Sequence, residues 1–221
     1  MFNIHKKLLC DSSSYFEAAL NNGFAETLNQ TIKLDDEEPA IIRTFFLWLY
    51  GGRLSLDMLR RDLWGDRVIE HMFKLYIFAD KRGVINLAND TITMLTSYWS
   101  EAQVLLSETT WVVLHISRKS KLYELILDNL VLELRSEELD NDRLEAVDLS
   151  KEFWSDLLLR SNQLPEHFRG RNKCFQAVCH YHCHDVEGAI SQEDCIHRIE
   201  AGYNIYYSTE APEQVRWDGW R

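Results

Sequence analysis

No run of roughly 18–20 consecutive apolar residues occurs in this sequence, so it lacks the signal of a membrane-spanning helix. The first residues do not read as a secretory signal either, because Asp11, three serines and Glu17 interrupt any hydrophobic core there. Basic runs are absent as well. With 24 Lys and Arg against 35 Asp and Glu, the formal charge is −11, and unaided binding to nucleic acid or to an anionic membrane needs clustered cations. Partners are therefore expected to be proteins. Also missing are a G-x-x-x-x-G-K-[ST] loop, a G-x-G-x-x-G turn, a G-x-S-x-G elbow and an H-E-x-x-H helix, so no catalytic residue is assigned. No internal repeat or low-complexity tract is found. Without a secretory signal, the five cysteines are expected to stay reduced in an intracellular protein of the cytoplasm or nucleus.

What is present is a core-forming composition. The 221 residues are 46% apolar, 27% charged and 12% aromatic, including seven Trp, which suits a globular chain with a buried interior. Helical spacing dominates. His5 to Cys10 reads as a short helix with Ile4, Leu8 and Leu9 inward. Ser14-Tyr15-Phe16-Glu17 has the form of a capping box for a second helix, closed by Asn21-Asn22-Gly23. Thr31–Leu34 reads as the one short strand. The DDEE cluster and Pro39 then open a helix, IIRTFFLWLY, that is apolar on nearly every side and stopped by Gly51-Gly52. Asp66 to Arg82, ended by Gly83, and Ile85 to Trp99 complete a helix-rich first hundred residues.

The second half is expected to be all helical. Periodic stretches cover Trp111–Ile116, Leu122–Leu134 and Leu149–Leu159, with an acidic loop, SEELDNDRLEAVD, before the last. Leu164-Pro165 should break that helix, and Lys173–Asp185 is a candidate for another. The tail after Ala201 shows no clear period.

Three blocks in order carry a resemblance: FNIHKKLLCDSSSYFEAAL, GFAETLNQTIKLDDEEPAIIRTFFLWLYGG and LYIFADKRGVINLANDTI. Over roughly residues 2 to 99 the chain resembles the BTB/POZ domain, particularly the BTB proteins of filamentous fungi. The resemblance implies a helical cluster with a short residual sheet in residues 1–100; with the all-α region that periodicity predicts for residues 101–221, the expected fold is α+β, mostly α. It implies a non-enzymatic protein–protein interaction module or scaffold. Such domains commonly homo-oligomerise, and many are substrate adaptors for cullin-type ubiquitin ligases. Family members have a β-hairpin before the His-Lys helix, of which only Phe2-Asn3-Ile4 corresponds here. The domain is therefore expected to be truncated at its N-terminus, through a start assigned too far downstream or in a true truncated paralogue. Thr31–Leu34 would then lose a sheet neighbour and expose unpaired backbone.

Two candidate sites follow. Phe24-Ala25-Glu26 matches the hydrophobic-x-Glu motif that resembles the cullin-contacting loop of adaptor members, with Phe24 as anchor and Glu26 fixing orientation. The alternative is a core Phe24 beside a solvated Glu26. The second site is CHYHCHD with Cys195 downstream, within a Cys/His-rich segment at residues 174–197. Cys and His are the donors of structural zinc, and Cys179, His182, His184 and Cys195 are the preferred quartet. A helical segment would put Cys179, His182 and Cys183 on one face and His180 and His184 on another, so spacing leaves competing quartets open. The bland reading makes the cysteines small buried hydrophobes and the histidines surface groups. A metal-dependent enzyme fused to a BTB domain is the reading from another class. His5 and Cys10 are assigned structural roles, since a thiol in an apolar stripe stays protonated.

Overall fold

The computed structural model describes residues 2–55, 58–59, 67–101, 106–135, 149–163 and 178–202. The chain forms two compact units. Among the described residues, one comprises 2–91 with 183–202, and the other 92–182.

In the first unit, α1 (Lys6–Ser12) and α2 (Ser14–Asn21) pack as a short pair, followed by α3 (Ala25–Asn29) and α4 (Pro39–Gly51). The helix cap lies one residue earlier than the sequence suggests, and it is a single serine cap rather than a capping box. Ser13, not Ser14, is the N-cap: its hydroxyl accepts from Phe16 N at 3.1 Å and donates to Arg82 O at 2.5 Å. A tertiary partner for the Ser13 hydroxyl decides which serine of the run stops outside the helix. Pro39 occupies the first turn of α4, where its missing N–H costs nothing.

The core forms where α2, α4 and α5 (Arg67–Lys81) meet. Phe45 stacks on Phe16 at 5.8 Å and tilts against Phe78 at 5.1 Å. α5 buries Val68, Ile69, Met72, Phe73, Leu75, Tyr76, Phe78 and Ala79, so it is enclosed on most sides. It ends at Gly83, whose φ of +61° favours glycine. α6 (Ile85–Glu101) starts in this unit and continues into the second.

The expected residual sheet is not seen. Thr31–Leu34 carries no strand, and no strand occurs among the described residues. A strand exists only as part of a ladder, and none of the described residues pairs with this segment. Leu34 O instead accepts from Glu37 N at 3.1 Å in a turn. The segment lines an open cleft of about 670 Å³ with Phe2, Ile4, Phe16 and Phe45. The described part of the fold is helical.

The second unit is built on α8 (Lys121–Arg135), which buries Leu122, Leu125, Ile126, Leu130 and Val131. α7 (Leu106–Val113) precedes it, and α9 (Lys151–Gln163) packs on it through Phe153 and Leu157. Ser120 and Ser150 cap α8 and α9 by accepting from Tyr123 N and Phe153 N, each at 3.2 Å. The expected 173–185 helix is replaced, over its described part, by a 3-10 turn (Val178–Tyr181) and irregular chain. Side-chain anchoring of the turn, described below, outweighs the helical periodicity. Asp66, the acidic stretch 136–148, Leu164-Pro165, Cys174 and the tail beyond residue 202 lie outside the described residues.

Candidate functional site

Phe24 is the N-cap of α3 and stands 57% exposed, with Leu28 one turn later 83% exposed. The local frame explains this placement. Thr27 Oγ1 donates to Ala19 O and accepts from Gly23 N, each at 3.1 Å, which ties the start of α3 to the end of α2. With those bonds made, Phe24 and Leu28 share the outer face of a one-and-a-half-turn helix. Glu26 is half-buried in the first turn, where its charge suits the helix dipole. Phe24 is thus not a core residue. An exposed aromatic beside a carboxylate is an arrangement suited to a docking anchor.

The second arrangement lies along residues 178–202. Cys179, His182, His184 and Cys195 each offer one ligand atom, and these atoms all lie within 4.8 Å of one another. His182 and Cys195 are buried, while Cys179 and His184 are half-buried. Cys183 is exposed and stands outside the group. The sequence pattern left several quartets open because it assumed a helix; the turn and loop that form instead bring four of these residues together.

Each part of the segment is held by polar side chains. Tyr181 OH donates to Asp128 at 2.7 Å, Lys121 Nζ donates to His180 O at 3.0 Å, and His180 Nε2 lies 2.9 Å from Glu124. Further along, two asparagines of α6 grip the backbone. Asn89 donates to Cys183 O and accepts from Cys183 N, each at 2.9 Å. Asn86 donates to Gly188 O at 2.8 Å and accepts from Ile190 N at 2.9 Å. Each asparagine mimics a paired strand with its amide. Arg198 of α10 (Gln192–Glu200) donates to Gly52 O and reaches Asp90, which also accepts from Trp48 Nε1 at 2.7 Å. Ser191 caps α10 and so sets the start of the helix that carries Cys195.

The ring nitrogens are sorted by their partners. His184 Nδ1 lies 3.0 Å from Ile190 O. A carbonyl only accepts, so Nδ1 carries the proton and Nε2 keeps the lone pair. His182 Nε2 lies 3.1 Å from Thr93 Oγ1, a contact that orients the buried ring. The cluster could hold a metal, and two sulfurs with two imidazoles are a donor set typical of structural zinc.

None of Asn86, Asn89, Asp90 and Thr93 was singled out from the sequence. Their signal is a polar stripe at i, i+3, i+4 and i+7 on an otherwise apolar helix. His71, a single helical histidine, is buried against Thr44 Oγ1 at 2.8 Å. His5 Nδ1 lies 2.7 Å from Tyr50 OH, and Cys10 is half-buried on α1.

Residues 1–76 match the family model of the BTB/POZ domain. The N-terminal part of the chain is a BTB/POZ domain. A stretch of 52 residues, 24% of the chain, is 38% identical to Kelch-like protein 30 of Homo sapiens. That stretch covers 9% of the relative's length. No solved structure gives a significant match. The BTB/POZ domain is a non-enzymatic interaction fold, and Phe24 and Glu26 lie within its matched residues. The Cys/His cluster lies beyond them.

Proposed function

We propose that this chain is a protein–protein interaction module, and that its BTB/POZ domain docks a cullin-type ubiquitin ligase scaffold through Phe24, Glu26 and Leu28. The observation that carries this reading is the exposure of Phe24 and Leu28 on a short helix fixed to α2, with Glu26 between them. An aromatic anchor of this kind is the usual centre of a hot spot, and the neighbouring carboxylate supplies orientation more than affinity. On this reading the remaining helices select the ligase substrate, and the protein acts inside the cell, in cytoplasm or nucleus. It works without nucleic acid or membrane as a direct partner. Self-association of the domain belongs to the same proposal.

The test is binding of the full chain to a purified cullin N-terminal domain by titration calorimetry. Phe24→Ala with Glu26→Ala should weaken binding at least ~30-fold, the equivalent of one hot spot of about 2 kcal/mol. Both side chains are at the surface, so the variant should keep its helical circular dichroism and Tm. Undiminished binding by the double variant, or no binding by the parent chain, overturns the proposal. Light scattering after size exclusion reads the oligomeric state directly.

A further inference from the structure

The Cys/His cluster points to a function separate from partner docking. We infer that Cys179, His182, His184 and Cys195 bind one zinc ion with a structural role. Four features combine to support it. The donors are two thiols and two imidazoles within 4.8 Å of one another. Two thiolates balance the charge of a divalent ion, so the assembled site is neutral and suited to burial. His184 donates its Nδ1 proton to a backbone carbonyl, and His182 is engaged by a buried threonine. Such contacts orient imidazoles that ligate through their other nitrogen.

The geometry needs only local closure. Donors at zinc-ligand distances of about 2.0–2.3 Å in a tetrahedron stand roughly 3.3–3.8 Å apart. Contraction from 4.8 Å at the widest is a change that side-chain rotations supply. Four protein ligands fill the coordination sphere, so no open position remains for substrate and the ion is structural rather than catalytic. All four residues belong to one continuous run, 179–195. Binding would close this run into a loop. The metal's free energy would add to the hydrogen bonds to Asp128, Asn86 and Asn89 that anchor parts of the run.

The test is metal analysis of the full-length chain purified without chelator, followed by cobalt substitution. About one zinc per chain is expected, exchangeable for cobalt with the visible bands of a tetrahedral thiolate site. His184→Asn and Cys195→Ser should each reduce the stoichiometry at least ~10-fold, whereas Cys183→Ala and Cys10→Ala should leave it unchanged. Because Cys195 is buried and its replacement also disturbs local packing, Thr93→Val supplies a milder probe. It keeps all four ligands and should weaken zinc affinity roughly 10-fold with helicity unchanged. Zinc below about a tenth of an equivalent in the parent chain, together with no cobalt uptake, overturns the inference. So does metal retained in full by His184→Asn and Cys195→Ser. Neither result bears on cullin docking, which Phe24→Ala reads separately.

Discussion

Asp128 is fully buried on α8 and receives hydrogen bonds from the Arg160 guanidinium and from Tyr181 OH. A carboxylate so placed is stable only because both partners stay in place, and its loss leaves Arg160 without its closest counter-charge. Asp128→Ala should therefore destabilise the chain by about 3 kcal/mol, read as a lower urea midpoint at unchanged slope. Tyr181→Phe removes one neutral donor and keeps the ring, so its cost should be nearer 1 kcal/mol. Equal effects of the two changes would show that the Arg160 pairing contributes little.

Helix ends and helix pairs carry the next set of effects. Gly52 and Gly83 both have positive φ, of +71° and +61°, but their surroundings differ. An added Cβ meets nothing within 4 Å at Gly52, whereas at Gly83 it comes within 2.8 Å of Ser14 Oγ. Gly52→Ala should cost about 1 kcal/mol from backbone strain alone, and Gly83→Ala clearly more, which paired thermal melts would rank.

The α8–α9 pair has a pH signature. Arg118 donates to Asp156 and holds that carboxyl below its usual range against the opposing effect of burial. For Glu124, burial pushes the carboxyl up, but the hydrogen bond from His180 and the charge of Lys121 outweigh it and the net direction is down. Carboxyls depressed in the folded state contribute stability that is present above the unfolded pKa, about 4, and is lost as pH falls through the folded values. Asp156→Asn should thus lower Tm at pH 7, with the gap closing progressively below about pH 4. A gap constant across that window would remove the Arg118–Asp156 pair as its cause.

At the scale of the whole molecule, the first unit is completed by residues distant in sequence. The segment 183–202 is held to the unit by Asn86, Asn89 and Asp90, all on the helix that begins just past the matched domain. A chain ending at His182 would leave those three side chains without these partners. The loss of the asparagine–backbone bonds, at roughly 1 kcal/mol each, should lower the stability of the BTB/POZ unit by several kcal/mol. Hydrogen exchange would show α6 amides near Asn86 and Asn89 losing protection. Equal protection in the shortened chain would make the segment an appendage rather than part of the unit.

Much of this was legible in the residues themselves. Apolar stripes at 3.6 spacing marked α4, α5, α6, α8 and α9, because an amphipathic helix must turn one face to a core whatever that core is. Pro39 and the glycines after α4 and α5 marked helix ends through backbone sterics that act locally. Cys179, His182, His184 and Cys195 could be named because their chemistry is visible in one dimension. What needed the tertiary structure was everything set by a distant partner. Thr31–Leu34 has strand-forming residues but forms no strand, since a ladder needs a second chain segment that local sequence does not contain. Ser13 rather than Ser14 caps α2 because its hydroxyl finds Arg82 O. The stretch around Cys179 has helical periodicity yet folds as a turn, because Asp128, Glu124, Asn86 and Asn89 fix its side chains and backbone. Local sterics and burial were the sequence's to determine; pairing across the chain was not, and it is pairing that assembled the cluster and completed the first unit.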